Sequence, residues 1–560
     1  MDYNILIGGA AGQGMETISS VLGKILHRKG FFVFSNKDYM SRIRGGHNFN
    51  QIRFSDKKLY SHRDRVDLIL ALNEETITLH KERLAPGGRI VCDTQWGADG
   101  AEILSMPLEQ IAEEVGEKRA AGIVAVGAIL KCLSLDQSHL RDVLERVLPD
   151  KLFAVNHQAA LRGYEVAESI WQLETPPAAG DANRILIDGN GSIALGALAA
   201  GCTFYSAYPM TPSTGIMNYL AGKQRKAGIV VEQAEDEIAA VNMALGASYA
   251  GARAMTGTSG GGFSLMVEGL SLAGITETPI VIVDSQRPGP ATGFPTRTEQ
   301  GDLDLILTGG HGEFPRMVIA LKDPDDAFYQ TARAFNIAEK TQVPVLLLTD
   351  QYLADSAVST KAYDFSTVSI ERYLDSGEDS QGEEYMRYKL VEGGISPRIV
   401  PGRIPGQVVL ADSDEHNERG NITESAEMRV AMMNKRMNKL KLLSQETREP
   451  EFLGQEGKVV LLGWGSMYGP IKEAVEMLTQ EGYELGALVF GDLWPLPEKA
   501  LLELAAQGKR FVNVEQNYTG QLAKLIRQET SIPCEKSILK YDGRQLSPVE
   551  IYRRVKEEVL

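Results

Sequence analysis

The sequence predicts an α/β fold of three doubly wound, mainly parallel-sheet domains. Three observations carry that expectation. Short apolar strands recur, separated by turns, several of them glycine-rich, and by helical patterns. Some strands are apolar throughout, such as Leu68-Ile69-Leu70-Ala71-Leu72, as expected where a parallel sheet is covered on both faces. The strand–turn–helix unit also restarts twice along the chain, as separate layered domains require.

The first unit spans residues 1–173. Tyr3–Ile7 reads as a strand, Gly8–Gly14 as a turn, and the following amphipathic run to about Lys29 as a helix. Phe31–Phe34, Val66–Leu72 and Arg89–Cys92 read as further strands. Residues 174–183 form a linker: Glu174-Thr175-Pro176-Pro177-Ala178-Ala179-Gly180-Asp181 has no core-facing period. The second unit spans 184–365, with strands at Ile185–Ile187, Phe204–Tyr208, Ile229–Glu232, Ala252–Gly257, Ile280–Asp284 and Val343–Leu348. Small and apolar residues at helical spacing make Asp236–Tyr249 a tightly packed helix. Residues 366–454 are polar and connecting, with an acidic surface cluster at Asp375–Glu384 and a basic helical run at Arg429–Lys441. The third unit, 455–560, opens with the strand Lys458–Leu462 and Gly463-Trp464-Gly465-Ser466. A helix from Pro470, the strand Phe511–Glu515 and the helix Gln521–Glu529 follow.

Composition excludes several classes. The 560 residues carry 58 Lys+Arg against 74 Asp+Glu, a net charge of −16. That balance disfavours sequence-independent nucleic-acid binding and anionic membrane surfaces, both of which need a basic face. A hydrophobic content of 43% permits large cores and excludes global disorder. The four cysteines, Cys92, Cys132, Cys202 and Cys534, are scattered and form no C-x-x-C. Neither a zinc site nor an iron–sulfur cluster is expected within this chain, and no metal ligands are assigned to it. Few, scattered cysteines fit a reducing cytoplasm. Met1–Gly9 shows no secretory signal pattern, and no apolar run reaches membrane-spanning length.

Five turns hold the candidate chemistry. Gly9-x-x-Gly12-x-Gly14 lies between strand and helix, where free N–H groups and the helix dipole favour an anion. Its spacing departs from the dinucleotide fingerprint, so a packing turn is an equal reading. Arg42-Ile43-Arg44-Gly45-Gly46-His47-Asn48 offers guanidinium groups beside exposed backbone, against the simpler reading of a solvated basic turn. In Tyr208-Pro209-Met210-Thr211-Pro212-Ser213-Thr214, Pro212 suits a first helical turn and Thr211 an N-cap. Capping needs one hydroxyl, and three make a polar rim at a strand's carboxyl end. Thr256-Gly257-Thr258-Ser259-Gly260-Gly261-Gly262 allows close backbone approach. Arg287, in Gln286–Gly293, can clamp a carboxylate with two parallel bonds. Glu232, Glu235, Asp236 and Glu237 lie where a strand becomes a helix. Acidic first turns are ordinary dipole complements, but one inward-facing carboxylate would suit proton exchange with a ligand nitrogen. The residues alone do not say which.

In order and spacing, these motifs resemble the α subunit of 2-oxoacid:ferredoxin oxidoreductases. Tyr208–Thr214 is similar to the family's substrate loop, with Met210 where isoleucine is usual. Glu235–Gly246, Thr258-Ser259 and Arg287-x-Gly289-Pro290-x-Thr292-Gly293 follow, with Ala291 where serine is usual. Gly9–Gly14 with Arg44-Gly45-Gly46 resembles the family's γ subunit, here fused ahead of α. Gly463–Ser466 and Glu515-x-Asn517-x-x-Gly520-Gln521 resemble its transketolase C-terminal-type domain.

The resemblance implies a γ-type domain, a pyrimidine-type thiamine-diphosphate-binding domain and a transketolase C-terminal-like domain. It implies oxidative decarboxylation of a 2-oxoacid to acyl-coenzyme A and CO2, with ferredoxin reduced. Thr211, Ser213 and Arg287 would bind the oxoacid. Glu237, nine residues before Gly246, would contact the cofactor aminopyrimidine, with Glu232 and Glu235 as fallbacks. Thr258, Ser259 and Gly260 would flank the pyrimidine. Gly12, Gly14 and Arg44 would serve the coenzyme A side. A Gly-Asp-Gly…Asn anchor for diphosphate and Mg2+ is absent from the sequence, as are clustered cysteines for a [4Fe-4S] group. Both are expected on a β partner, in an (αβ)2 assembly. The Asp414-Glu415-His416 segment and the Arg287–Thr292 loop resemble the 2-oxoglutarate branch more than the pyruvate branch, with branched-chain and aromatic oxoacids left open. The competing readings are a standalone nucleotide-binding protein and a self-contained transketolase-like enzyme. The first leaves the 208–293 motifs idle, and the second lacks the diphosphate anchor.

Overall fold

The computed structural model describes residues 1–42, 45–96, 98–175, 183–376 and 384–560. They form two compact units. One comprises Met1–Asp188, Asp355–Ala362 and Ser547–Val549; the other comprises Gly189–Ala354, Tyr363–Leu546 and Glu550–Leu560.

The first unit holds an eight-stranded sheet. Its strands are β1 (Asp2–Ala10), β2 (Phe32–Asp38), β3 (His47–Ser55), β4 (Val66–Ala71), β5 (Leu84–Asp93), β6 (Ile103–Met106), β7 (Arg184–Asp188) and, in chain order, β14 (Ala357–Lys361). The order is β6-β5-β4-β1-β3-β2-β14-β7. Ladders from β6 to β1 are parallel, and those from β1 to β7 are antiparallel. Alternation along β1 sends Ile5 and Ile7 to one core, against Ile18, Leu22 and Ile25 of the helix Met15–Arg28. Leu6 faces the other core, with Ile69 and Ile90. Helices Ala121–Cys132 and Asp150–Val166 pack backbone to backbone. A Cβ on Gly127 or Gly163 would lie 1.9 Å from a carbonyl oxygen of the other helix.

Two features of this sheet depart from the sequence expectation. Ile185–Ile187 was assigned to the second unit by its place in the chain. The strand there, β7, pairs instead with β14 at the edge of the first sheet. Hydrogen-bond partners decide membership of a sheet, and this partner lies far along the chain. Strand β3 has no counterpart in the sequence reading, because its polar residues disguise it. Asn50 donates to Ser19 Oγ at 3.0 Å, Gln51 to Arg63 O at 2.9 Å, and Arg53 to both carboxylate oxygens of Asp2 at 3.0 and 2.8 Å. Burial is tolerated because each group is bonded.

The second unit holds a seven-stranded and a five-stranded sheet. The larger uses β8 (Phe204–Ala207), β9 (Val230–Gln233), β10 (Ala254–Thr258), β11 (Ile280–Gln286), β12 (Met317–Ala320), β13 (Pro344–Asp350) and the antiparallel edge strand β18 (Asp492–Trp494), in the order β18-β12-β13-β11-β10-β8-β9. The smaller uses β15 (Glu451–Gly454), β16 (Val459–Trp464), β17 (Leu485–Phe490), β19 (Arg510–Glu515) and β20 (Lys536–Leu539), in the order β15-β17-β16-β19-β20. One apolar cluster joins the two sheets through Phe263, Val318, Leu346, Trp464, Phe490 and Phe511. Both sheets of this unit are largely parallel and flanked by helices, so the α/β class holds, but the sheet of the first unit is mixed rather than mainly parallel as expected, because β2, β3, β7 and β14 join it through antiparallel ladders.

The basic run in the connecting segment forms the helix Ala426–Glu446, which faces inward as well as outward. Lys435 and Lys439 are buried, and each places its Nζ 2.5 Å from the carboxylate of buried Glu277. Burial opposes ionisation of Glu277, but the two ammonium groups outweigh it and hold the carboxyl below the usual range. A charged helix is thereby anchored by compensation, since either charge alone in that position would be costly.

Candidate active site

Strands β8, β9, β10 and β11 are parallel neighbours, so their carboxyl ends open on one edge of the sheet. Open α/β sheets bind ligands at that edge. Of the stretches singled out in the sequence, 208–214, 232–237, 256–262 and 286–293 leave from it.

The 208–214 turn follows β8. Asn190 Nδ2 donates to Pro212 O at 3.0 Å and fixes its path. Ser213 is buried and turns its hydroxyl towards β10. A Cβ on Gly257 would lie 2.7 Å from both Ser213 Oγ and Tyr205 Oη, so only glycine admits this approach. Ser213 Oγ has no hydrogen-bond partner. The capping expectation fails in detail. The helix starts at Thr214, Ser213 occupies the N-cap position without a side-chain bond, and Thr211 caps nothing. Thr211 and Pro212 instead lie in the turn before the helix. There Thr211 O accepts a 2.8 Å hydrogen bond from Arg287 Nη1.

Arg287 directly follows β11 and is half-buried. Burial lowers its pKa, and the charges of Asp302 and Glu237 act the other way. A half-buried guanidinium held by one carbonyl keeps donors available for an anion. Its loop closes through Phe294 N–H donating to Pro288 O at 3.0 Å. Gly293 is required there: its φ is 51°, and a Cβ would lie 1.8 Å from Pro288 O.

Among the four acidic residues after β9, the structure separates the roles that spacing left open. Asp236 is the N-cap, its Oδ1 accepting from Ala239 N at 2.7 Å. Glu232 and Glu235 are exposed. Glu237, the first helical residue, is 3% exposed and turns inward. Its Oε1 has no hydrogen-bond partner. It meets the amino end of the helix Gly260–Ile275. A Cβ on Gly262 would lie 2.5 Å from Glu237 Oε1 and 2.0 Å from Thr258 Oγ1. That helix end supplies unpaired N–H groups and a positive dipole. Thr258 and Ser259 are fully buried, and Ser259 Oγ is also unpartnered. The result is a cradle of orphaned polar atoms and absent side chains. Such a cradle fits a planar nitrogen heterocycle that can donate to the carboxylate and accept from the hydroxyls.

Three further carboxyl groups were missed. Asp284 ends the apolar run of β11, and Asp302 and Glu299 come from the loop that follows. Burial pushes Asp302 up to about 6 and Glu299 up to about 7, the latter also through the nearby Asp302 charge. Nothing local in Gly301-Asp302 signals its approach to Gly260.

In the first unit, Gly12 and Gly14 adopt positive φ, 96° and 78°, before the helix Met15–Arg28. They border a cavity of about 530 Å³ together with Lys37, Tyr39, Arg42 and Asn48. Arg44 lies outside the described residues. His47 is structural: it is buried, with its Nε2 2.7 Å from that of His80. Glu415 is engaged by Arg436 and Arg429, and the His416 ring lies 3.9 Å from that of Tyr388. Among the described residues no cluster of three or more His, Cys, Asp or Glu side chains could hold a metal.

Comparisons with known proteins agree along the chain. Three protein-family models match it. They are pyruvate ferredoxin/flavodoxin oxidoreductase over residues 4–166, the thiamine-diphosphate-binding model of pyruvate flavodoxin/ferredoxin oxidoreductase over 195–435, and pyruvate:ferredoxin oxidoreductase core domain II over 457–551. Fold and site thus define an oxidoreductase subunit of the thiamine-diphosphate-binding class. The 2-oxoacid:ferredoxin oxidoreductase subunit alpha of Saccharolobus solfataricus is 32% identical over 100% of this chain and 98% of its own length. The 2-oxoglutarate synthase subunit KorA of Archaeoglobus fulgidus is 33% identical over 67% of this chain and 99% of its own. A solved structure matches with TM-score 0.91 and 34% identity, covering 100% of both chains: 2-oxoglutarate:ferredoxin oxidoreductase from Magnetococcus marinus with 2-oxoglutarate, coenzyme A and succinyl-CoA bound. The chain belongs to the α subunits of the 2-oxoacid:ferredoxin oxidoreductases, enzymes of several subunits with ferredoxin as acceptor.

Proposed function

We propose that this chain is a γ–α fused subunit that oxidatively decarboxylates a dicarboxylic 2-oxoacid of the 2-oxoglutarate type, with coenzyme A as acyl acceptor. The observation that carries the reading is the full-length likeness to the 2-oxoglutarate enzyme, at TM-score 0.91. The three working parts are a γ-type domain (1–173, its sheet extended by β7 and β14), a pyrimidine-type domain (189–354) and a transketolase C-terminal-like domain (455–560).

Thiamine diphosphate, when bound, supplies a nucleophilic carbon and an electron sink for the carboxylate that leaves as CO2. This chain holds its pyrimidine half. Glu237 bonds the ring nitrogen and stabilises the tautomer whose other nitrogen can take a proton. Thr258, Ser259 and the Gly260 turn flank the ring. Arg287 clamps the oxoacid carboxylate, and Thr211 and Ser213 line its approach. Gly12, Gly14, Arg42 and Arg44 serve the anionic groups of coenzyme A. A β partner brings the diphosphate and Mg2+ anchor and the [4Fe-4S] cluster that passes electrons to ferredoxin, in an (αβ)2 assembly. Among the described residues no helix is long and apolar enough to cross a membrane, and we place the enzyme in the cytoplasm.

Calorimetric titration with thiamine diphosphate and Mg2+ tests the division of the site. The chain alone should bind weakly and its complex with the β partner tightly. Tight binding by the chain alone would refute the shared site. Turnover of the complex across a panel of oxoacids should favour 2-oxoglutarate over pyruvate.

A further inference from the structure

The motif Glu515-x-Asn517-x-x-Gly520-Gln521 has no part in the chemistry assigned so far, yet its side chains hold the far end of the loop that begins with Arg287. Glu515 ends β19 and is fully buried. Its carboxylate accepts from Trp464 Nε1 at 3.0 Å, Asn513 Nδ2 at 2.7 Å, Asn517 Nδ2 at 2.8 Å and Leu522 N at 3.0 Å. It thus sits at the amino end of the helix Gln521–Thr530, where the backbone favours negative charge. These bonds fix Trp464, at the end of β16, and Asn517, just beyond β19. Both then reach Gln300, which is also fully buried. Gln300 Nε2 donates to Trp464 O at 2.9 Å, and its carbonyl accepts from Asn517 Nδ2 at 3.1 Å. Its N–H donates to Gln516 O at 2.7 Å, and its Oε1 accepts from Gln516 N at 3.2 Å. Gln521 grips the residues that follow: its Nε2 donates to Gly301 O at 2.8 Å, and its Oε1 accepts from Asp304 N at 3.1 Å. Between them, Asp302 N–H donates to Gln286 Oε1 at 3.0 Å. Gln286 in turn donates to Thr349 O at 3.1 Å; it is the last residue of β11, and Arg287 follows it. A chain of hydrogen bonds therefore runs from buried Glu515 to the residue beside the guanidinium.

We propose that Gln300 is a positioning residue for Arg287, held in place by the Glu515–Gln521 motif, so that the third domain sets the oxoacid site without touching the oxoacid. Residues 287–302 form neither strand nor helix, so no ladder of their own fixes their path. Their far end is fixed instead by side-chain amides, each bonded on both its donor and its acceptor side. The near end carries Arg287, and a two-bond grip on a carboxylate depends on the orientation of the guanidinium plane. Releasing Gln300 frees Asp302 from Gln286 and widens the range of orientations from which Arg287 must be recruited. This inference rests on the reading of Arg287 as the oxoacid clamp.

The test is a double-mutant cycle on the assembled enzyme, read as KM and kcat for 2-oxoglutarate. Gln300→Met keeps the length of the side chain and removes both of its side-chain bonds. It should raise KM roughly two- to tenfold, the worth of lost hydrogen bonds, with kcat within about twofold of wild type. In an Arg287→Ala background it should change KM no further, because it acts through Arg287. Gln521→Leu removes the bonds to Gly301 and Asp304 and should show the same pattern. If Gln300→Met fails to assemble, Gln521→Leu carries the test. A lower melting temperature with KM unchanged would mean a merely structural role and overturn the proposal. Equal rises in KM with and without Arg287 would overturn it too. If Arg287→Ala raises KM while the Gln300 and Gln521 variants do not, this proposal alone falls. If Arg287→Ala leaves KM unchanged, the clamp reading falls and takes the proposal with it.

Discussion

Replacing Glu237 by glutamine should abolish most turnover without unfolding the protein. The side chain is 3% exposed, and its Oε1 has no donor in the structure. Glutamine has the same shape and fills the same space against Gly262. It offers an amide where the carboxylate would accept and return a proton. A positioned acid–base group is worth about 10²- to 10⁴-fold in rate, or about 3–5 kcal/mol of barrier. The stability effect has the opposite sign. A buried carboxylate lacking a partner is a cost to the fold, so Glu237→Gln should melt at or above the wild-type temperature. Gly262→Ala is the independent perturbation. Its Cβ would enter 2.5 Å from Glu237 Oε1 and displace the carboxylate without altering any charge. Both variants should be assayed as the assembled complex, by oxoacid-dependent ferredoxin reduction and by thermal melting. Near-normal turnover of Glu237→Gln, or a greater loss in Glu235→Gln, would refute the assignment. A harmless Gly262→Ala would refute the packing argument behind it.

Arg287→Ala should raise the oxoacid KM about ten- to hundredfold, the worth of a hydrogen-bonded charge pair, and lysine should restore only part of it. Glu277→Gln leaves two buried ammonium groups unpaired and should cost about 3–5 kcal/mol, a fall of roughly 4–7 °C in melting temperature for a unit of about 360 residues. That deficit should be pH-dependent. Because the folded-state pKa of Glu277 is depressed, its stabilisation is present above the unfolded value of about 4.3 and is lost as pH falls through the folded value. Wild type and Glu277→Gln should therefore converge in acid, and a constant gap down to the acid transition would argue against the ion network.

Much of the architecture was legible because it rests on local rules. Apolar runs such as Leu68–Leu72, closed by turn residues, marked strands whose ends shifted by no more than a few residues. The carboxyl-edge rule then gathered 208–214, 258–262 and 287–293 before any contact was known. Polar alternation hid β3, whose Asn50, Gln51 and Arg53 find their partners on segments distant in sequence. The basic run 429–441 read only as a helix, because a buried countercharge such as Glu277 leaves no local trace.

The sequence by itself determined the α/β class, the three strand–turn–helix units, the turns that carry the chemistry and the lack of clustered cysteines. Each depends on residue type and near-neighbour spacing, which a chain displays before it folds. Only the tertiary structure decided that Glu237 rather than Glu232 or Glu235 turns inward. It alone showed that Arg287 binds the Thr211 carbonyl and that β7 joins the first sheet. Those are properties of distance and dielectric between segments far apart in the chain, and packing is what sets both.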